Sequence, residues 1–203
     1  MSNTVSTVIT ITTRKQLDIY MNPQRQSLLK AMDIHGIPMT AKQLSQILKI
    51  SASSVTHHIK RLESLGLVEL DHTESIHGIQ AKYYRKLPVS VSLGGNREDD
   101  LQSERTLFSD YIVSQTWQSF KNHQTQVADK EDITQTGDSM SGILHLKQAD
   151  AKKLYDMILE YIRTHETTED GTVPWEYVLV AFPHNKIPET TVSNTVNQVQ
   201  KEK

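Results

Sequence analysis

Between Met39 and Gly66 the sequence writes two helices almost end to end, and this spacing restricts the fold more than any other feature of the chain. Thr40-Ala-Lys-Gln43 sets a hydroxyl and an amide three residues apart, the pair that satisfies two orphan N–H groups reciprocally at a helix start. Leu44, Ile47 and Leu48 give that helix, about two turns long, a single apolar edge. Only Lys49-Ile50 separates it from Ser51, a good N-cap. Val55, Ile59 and Leu62 then recur at i, i+4 and i+7 until Leu65-Gly66 stops the period. Two helices joined by so tight a turn must cross steeply, which is the helix-turn-helix arrangement.

The flanks extend this unit. Thr7, Ile9 and Ile11 alternate with Val8, Thr10 and Thr12 in a β-branched run that reads as a short strand, and residues 15–21 read as one or two helical turns. Asn22-Pro23 supplies an N-cap oxygen and a ring at N1, where the missing N–H costs nothing. Leu28, Leu29 and Met32 form the buried stripe of a first full helix. His35-Gly36 ends it, with Gly36 suited to the left-handed C′ position and Pro38 beyond. After the third helix come Leu67-Val68-Glu69-Leu70, a polar tip over residues 71–78, and a β-branched, aromatic and cationic run over 79–87. Strand, loop and strand beside the third helix make a wing.

Over residues 8–88 the chain resembles winged-helix repressors of the ArsR type. Asn22-Pro-Gln-Arg-Gln-Ser-Leu-Leu resembles that family's first-helix signature, and Met39-Thr-Ala-Lys-Gln-Leu its second helix. Ser51-Ala-Ser-Ser-Val-Thr-His-His-Ile-Lys-Arg-Leu-Glu-Ser-Leu-Gly-Leu-Val resembles its third helix and is the most specific part. Gly78-Ile-Gln-Ala-Lys-Tyr-Tyr-Arg resembles the returning wing strand. The resemblance implies a prokaryotic transcription regulator, with repression as its sign.

With its apolar positions turned inward, the third helix projects Ser53, Thr56, His57 and Lys60 outward, flanked by Ser54 and Arg61. A major groove about 12 Å wide admits one helix, where Ser, Thr and His can bond base edges and Lys60 and Arg61 neutralise phosphates. The resemblance places DNA-facing positions on the same residues. The helix start carries no Arg, Asn or Gln for bidentate base contacts, so DNA shape and the wing are expected to share the specificity. His58 lies on the inner side and is expected to be a packed histidine. In the wing, His72, His77, Lys82 and Arg85 are candidates for phosphate or minor-groove contact, opposed by Glu74. Thr40, Lys42 and Gln43 open the second helix, whose amino end suits a phosphate, although capping alone also explains Thr40 and Gln43.

Charge agrees with this division. Residues 24–88 hold nine Lys/Arg against five Asp/Glu, whereas 96–203 hold eleven against eighteen. The absence of cysteine excludes disulfides, thiolate metal sites and cysteine nucleophiles. The histidine–carboxylate spacing of metal-sensing relatives is missing, and no Gly-x-Ser-x-Gly, phosphate-loop, His-Glu-x-x-His or Gly-x-Gly-x-x-Gly motif is present. No cofactor, no metal and no enzymatic activity are expected. No apolar run approaches the ~18 residues of a membrane helix, and no signal-peptide pattern opens the chain, so a soluble cytoplasmic protein is expected.

The domain boundary is expected at residue 90, separating a winged-helix domain (1–90) from a dimerisation and effector region (91–203). In the latter, residues 98–124 form a long helix with two apolar stripes, one through Leu101, Phe108 and Ile112 and one through Val113, Trp117 and Phe120. Two edges want two surfaces, one on the chain's own domain and one on a second copy, so a dimerisation helix with Leu101, Phe108, Ile112, Trp117 and Phe120 as its candidate residues is expected, the alternative being a helix buried within one chain. A connector (125–141), a strand-helix-strand unit (142–183) and a polar tail (184–203) follow. Alternation of Val173, Trp175, Tyr177 and Leu179 with Val178, Val180 and Phe182 reads as a strand covered on both faces. His145, Tyr155, Trp175 and Tyr177 are candidates for an effector pocket or for a small core.

The expected fold is thus α+β: a winged helix-turn-helix domain, a long helix and a small strand-helix-strand unit. The expected function is that of a dimeric, sequence-specific regulator that binds a palindromic operator in double-stranded DNA and takes a small-molecule effector. A winged-helix module that binds another protein, its basic charge incidental, is the rival reading. Salt dependence separates the two.

Overall fold

The computed structural model describes residues 8–76, 78–94, 99–127 and 132–184. A short strand β1 (Val8–Thr10) leads into α1 (Arg14–Tyr20) and α2 (Pro23–His35). Next come β2 (Met39–Thr40), α3 (Ala41–Leu48) and α4 (Ala52–Glu63). The hairpin β3 (Val68–Ile76) and β4 (Ile79–Lys86) is followed by β5 (Ser90–Ser92). The carboxyl half contributes α5 (Gln102–Gln126), α6 (Ile133–Thr136) and α7 (Gln148–Thr164). The architecture is α+β.

Cap chemistry sets the helix ends. The Asn22 side chain accepts from the Gln24 and Arg25 N–H groups at the start of α2, and Thr40 and Gln43 form a full capping box on α3. Ser51 accepts from the Ser54 N–H on α4. The turn between α3 and α4 requires Lys49 at φ 55°, a left-handed conformation in a non-glycine residue. Leu28, Leu44, Val55, Ile59 and Leu62 are fully enclosed where α2, α3 and α4 meet, and Leu67 and Val68 carry that core into the wing.

The wing is longer than the sequence suggests. Residues 71–76, read as a polar tip, continue β3 as a strand paired with β4, with an irregularity between Leu70 and His72. The two-residue β2, absent from the sequence reading, pairs with β4 on its other side, giving the order β2-β4-β3. Solvent-facing strands need no apolar alternation once a neighbour satisfies their backbone, so a polar sequence hides them.

Residues 91–94, beyond the expected boundary, stay with the first unit. β5 pairs in parallel with β1, and Leu101 joins Ile11 and Leu17 in a second core cluster. Buried Arg105 sets both terminal nitrogens on the Asp99 carboxylate at 2.7 Å, and Arg14 bonds Glu104 at 2.7 Å, fastening the start of α5 to α1. Phe108 meets Tyr20 edge-on at 5.4 Å. Leu101 and Phe108, expected at a dimer contact, are therefore taken up by their own chain. Ile112 and Phe120 are half-buried and Trp117 is 47% exposed.

The expected strand-helix-strand unit contains its helix, α7, but among the described residues no strand follows β5. Residues 142–147 and 172–184 run without a ladder partner. Periodicity shows how a strand would present its side chains, not whether an edge exists to receive it. Here Val173 and Phe182, on opposite faces of the alternation, are 68% and 75% exposed. Lys30 ties this segment to the rest, donating to Ser119 on α5 at 2.9 Å and to Glu176 at 2.7 Å.

The end of α2 carries a backbone constraint. Gly36 adopts φ 62°, and a Cβ there would come within 1.8 Å of the Thr168 hydroxyl oxygen. Gly36→Ala is expected to cost about 1–2 kcal/mol for the left-handed backbone alone, and more as Thr168 is displaced. A lowered urea midpoint at unchanged m-value would register it.

Candidate nucleic-acid interface

α4 has two sides. Val55, His58, Ile59 and Leu62 face the core, while Ser53, His57, Lys60 and Arg61 are exposed and Ser54 and Thr56 half-exposed. Some hydroxyls on the outer side are already engaged: Thr56 Oγ1 donates to the Ala52 carbonyl at 2.8 Å, and the Ser51 and Ser53 hydroxyls share a bond at 3.0 Å. Each oxygen still has lone pairs to offer a base-edge donor. Lys60 and Arg61 form no ion pair among the described residues, so both charges are available to an incoming anion.

At the start of α3, the Thr40 N–H and hydroxyl both donate to Gln43 Oε1, at 2.8 and 2.9 Å, and the Gln43 N–H donates back to Thr40 Oγ1 at 3.2 Å. The capping box thus engages Thr40 Oγ1 and Gln43 Oε1, and the exposed Lys42 is the cation of this helix end.

In the wing the expected residues fare unequally. Lys82 is exposed and opposite Thr73. Arg85 is held by Glu69 at 2.6 Å and Asp71 at 3.2 Å, so its charge is largely cancelled. His72 bonds Asp71 at 2.7 Å and stacks on Tyr83 with ring centres 4.4 Å apart. His77 lies outside the described residues. Sequence reasoning missed the Arg85 clamp, whose signal is the cross-strand pairing of Glu69 with Arg85.

His58 is only 7% exposed and anchors a polar junction between α4, α2 and α1. Arg25 can only donate, so its contact with His58 Nδ1 at 3.5 Å makes that nitrogen the acceptor. His58 Nε2 then carries the proton and donates to Gln24 Oε1 at 2.7 Å. The same Arg25 donates to the Ile19 and Asp18 carbonyls at the end of α1. Burial first, then the charge of Arg25 and the neighbouring His57, lowers the His58 pKa. A proton therefore binds the unfolded chain more readily than the folded one. The stability His58 confers is complete above the ordinary imidazole value of about 6.5 and is lost as pH falls through it toward the lower folded value. Urea unfolding between about pH 8 and pH 5 should show a fall in stability that is smaller in His58→Gln.

A cleft of about 530 Å³ opens beside this junction, between α1 and the His57–Arg61 edge of α4. His145, Tyr155, Trp175 and Tyr177 are not brought together in such a cleft: all four stand exposed on the carboxyl half, Trp175 at 58%. Partial desolvation, although the residue is largely exposed, raises the Tyr177 pKa, with Glu166 and Asp33 adding to the shift. Among the described residues no group of three His, Cys, Asp or Glu side chains could hold a metal ion. No helix among them is long and apolar enough to cross a membrane.

Residues 20–71 match the family model of a helix-turn-helix domain, the span from the end of α1 to the start of the wing. No curated protein matches the chain significantly. Among solved structures, the chain is similar to the heme sensor protein PefR from Streptococcus agalactiae in its complex with heme. The two are 14% identical, the match covers 74% of this chain and 80% of that one, and the TM-score is 0.30.

Proposed function

We propose that the chain is a sequence-specific DNA-binding transcription regulator that inserts α4 into the major groove. The observation that carries this reading is the outer side of α4, where Lys60 and Arg61 are exposed and, among the described residues, without an ion pair beside three hydroxyls and His57. Lys42 and Lys82 extend the charge on either side, and the helix-turn-helix match over residues 20–71 supports the same reading. Contacts from Lys and Arg to phosphates position the helix, and Ser53, Thr56 and His57 read base edges.

Two copies, joined through Ile112, Trp117 and Phe120 on α5, present their α4 helices to half-sites of a palindromic operator about 34 Å apart. Occupancy of that operator excludes polymerase, which makes the regulator a cytoplasmic repressor of the ArsR type. The carboxyl half, with Tyr155, Trp175 and Tyr177 exposed, is where a small-molecule effector acts to shift the spacing of the two α4 helices.

Selection of bound fragments from random duplexes, followed by anisotropy titration of the winner at several salt concentrations, tests the reading. A palindromic winner is expected. Each neutralised phosphate contributes about −0.9 to the slope of log affinity against log salt, so Lys42, Lys60, Arg61 and Lys82 set roughly −3 to −4 per protomer. A slope near zero would instead favour the reading as a protein-interaction module, for which the exposed apolar segment 172–182 speaks.

A further inference from the structure

We infer that the cleft between α1 and α4 is a phosphate site that seats the DNA backbone at the edge of the groove read by α4, with Lys15 as its principal contact. The inference rests on the DNA-binding reading above and extends the footprint to a helix outside the helix-turn-helix pair.

The charges in the cleft are one-sided. Among the described residues Arg14, Lys15, Arg25 and Arg61 line it with His57, against a single carboxylate, Asp18. The cations differ in what they can still offer. Arg14 is spent on Glu104 at 2.7 Å and Asp100 at 3.8 Å. Arg25 directs its guanidinium to two backbone carbonyls and His58, so its bonds are used, but among the described residues no acid in contact neutralises its charge. Burial and the nearby Arg61 lower the Arg25 pKa, the mark of cations crowded together. Lys15 is exposed and has no ion pair among the described residues.

The position matters as much as the charge. His57 and Arg61 lie one helical turn apart on α4 and form one wall, so the cleft borders the helix that enters the groove. A strand of DNA following that groove brings its phosphates past this wall. The ligand is a phosphodiester oxygen, held by the Lys15 ammonium and the Arg61 guanidinium, with the Arg25 charge behind them. Such a contact fixes register without reading sequence.

The test uses the full chain, a labelled duplex recovered by selection, and a random-sequence duplex. Lys15→Gln should weaken both duplexes equally, by about fivefold at ~0.15 M salt, and reduce the magnitude of the salt slope by about 0.9. Lys15→Arg should retain binding, and the urea midpoint of both variants should match the unchanged chain. If Lys15→Gln alters neither affinity nor slope while Lys60→Gln weakens binding, the cleft assignment falls and the α4 reading stands. If neither variant changes binding, both fall. Inorganic phosphate separates the two sources of the anion. A thermal shift with phosphate that vanishes in Lys15→Gln would mark a site for a free anion and overturn the assignment to the DNA backbone; no such shift is expected.

Discussion

Ile59→Ala is expected to remove about 2–5 kcal/mol of stability, a large share of the ~5–15 kcal/mol that holds a typical domain together. Ile59 is fully buried at the crossing of α2, α3 and α4, where Leu28, Leu44, Val55 and Leu62 are equally enclosed. The short α3 rests on one apolar edge and a three-residue turn, so it cannot close over the space a truncated side chain leaves. Ile59→Val, which removes a single methylene, should cost only about 0.5–1.5 kcal/mol. Urea unfolding of both variants measures this. A loss below about 1 kcal/mol in the alanine variant would mean that the joint is not the tightly packed element the burial describes.

Lys60→Glu combined with Arg61→Glu should have the opposite profile: unchanged stability and a fall in DNA affinity of roughly a hundredfold or more at physiological salt. Both side chains are exposed and neither is paired within the described residues, so folding loses nothing when they change sign. Binding loses two phosphate contacts, each worth about fivefold at ~0.15 M salt, and meets repulsion at both positions. Anisotropy titration against the selected duplex, beside an unfolding curve, reads both quantities. Retained affinity would remove the outer side of α4 from the interface. Together with Ile59→Ala the result separates the inward side of this helix, which holds the fold, from the outward side, which holds the ligand.

The amino-terminal helices were legible in the sequence because their ends are written in local chemistry. Asn22-Pro23, Thr40 with Gln43, and Ser51 cap α2, α3 and α4, and an apolar period of about 3.6 supplies the buried side of each. The inward place of His58 followed from the same periodicity; its partners Gln24 and Arg25, more than thirty residues away, did not. The state of Arg85 depended on strand register and on an irregularity beside Leu70, which no short window contains. In α5 the two stripes showed that two surfaces were wanted but not which, and the structure gives Leu101 and Phe108 to α1 and Tyr20. Alternation over residues 172–182 carried no information about an available edge, and the strand expected there is absent. Lys15 and Arg14 escaped notice because the cleft exists only once α1 lies against α4.

The parallel pairing of β1 with β5 sets an order of events during synthesis. Val8 must wait for Ser90, about eighty residues downstream, before its backbone finds a partner. At ~5–20 residues per second the ribosome takes about 4–16 s to deliver that partner. β1 is therefore secured only after the helices between have emerged, and α5, α6 and α7 follow it.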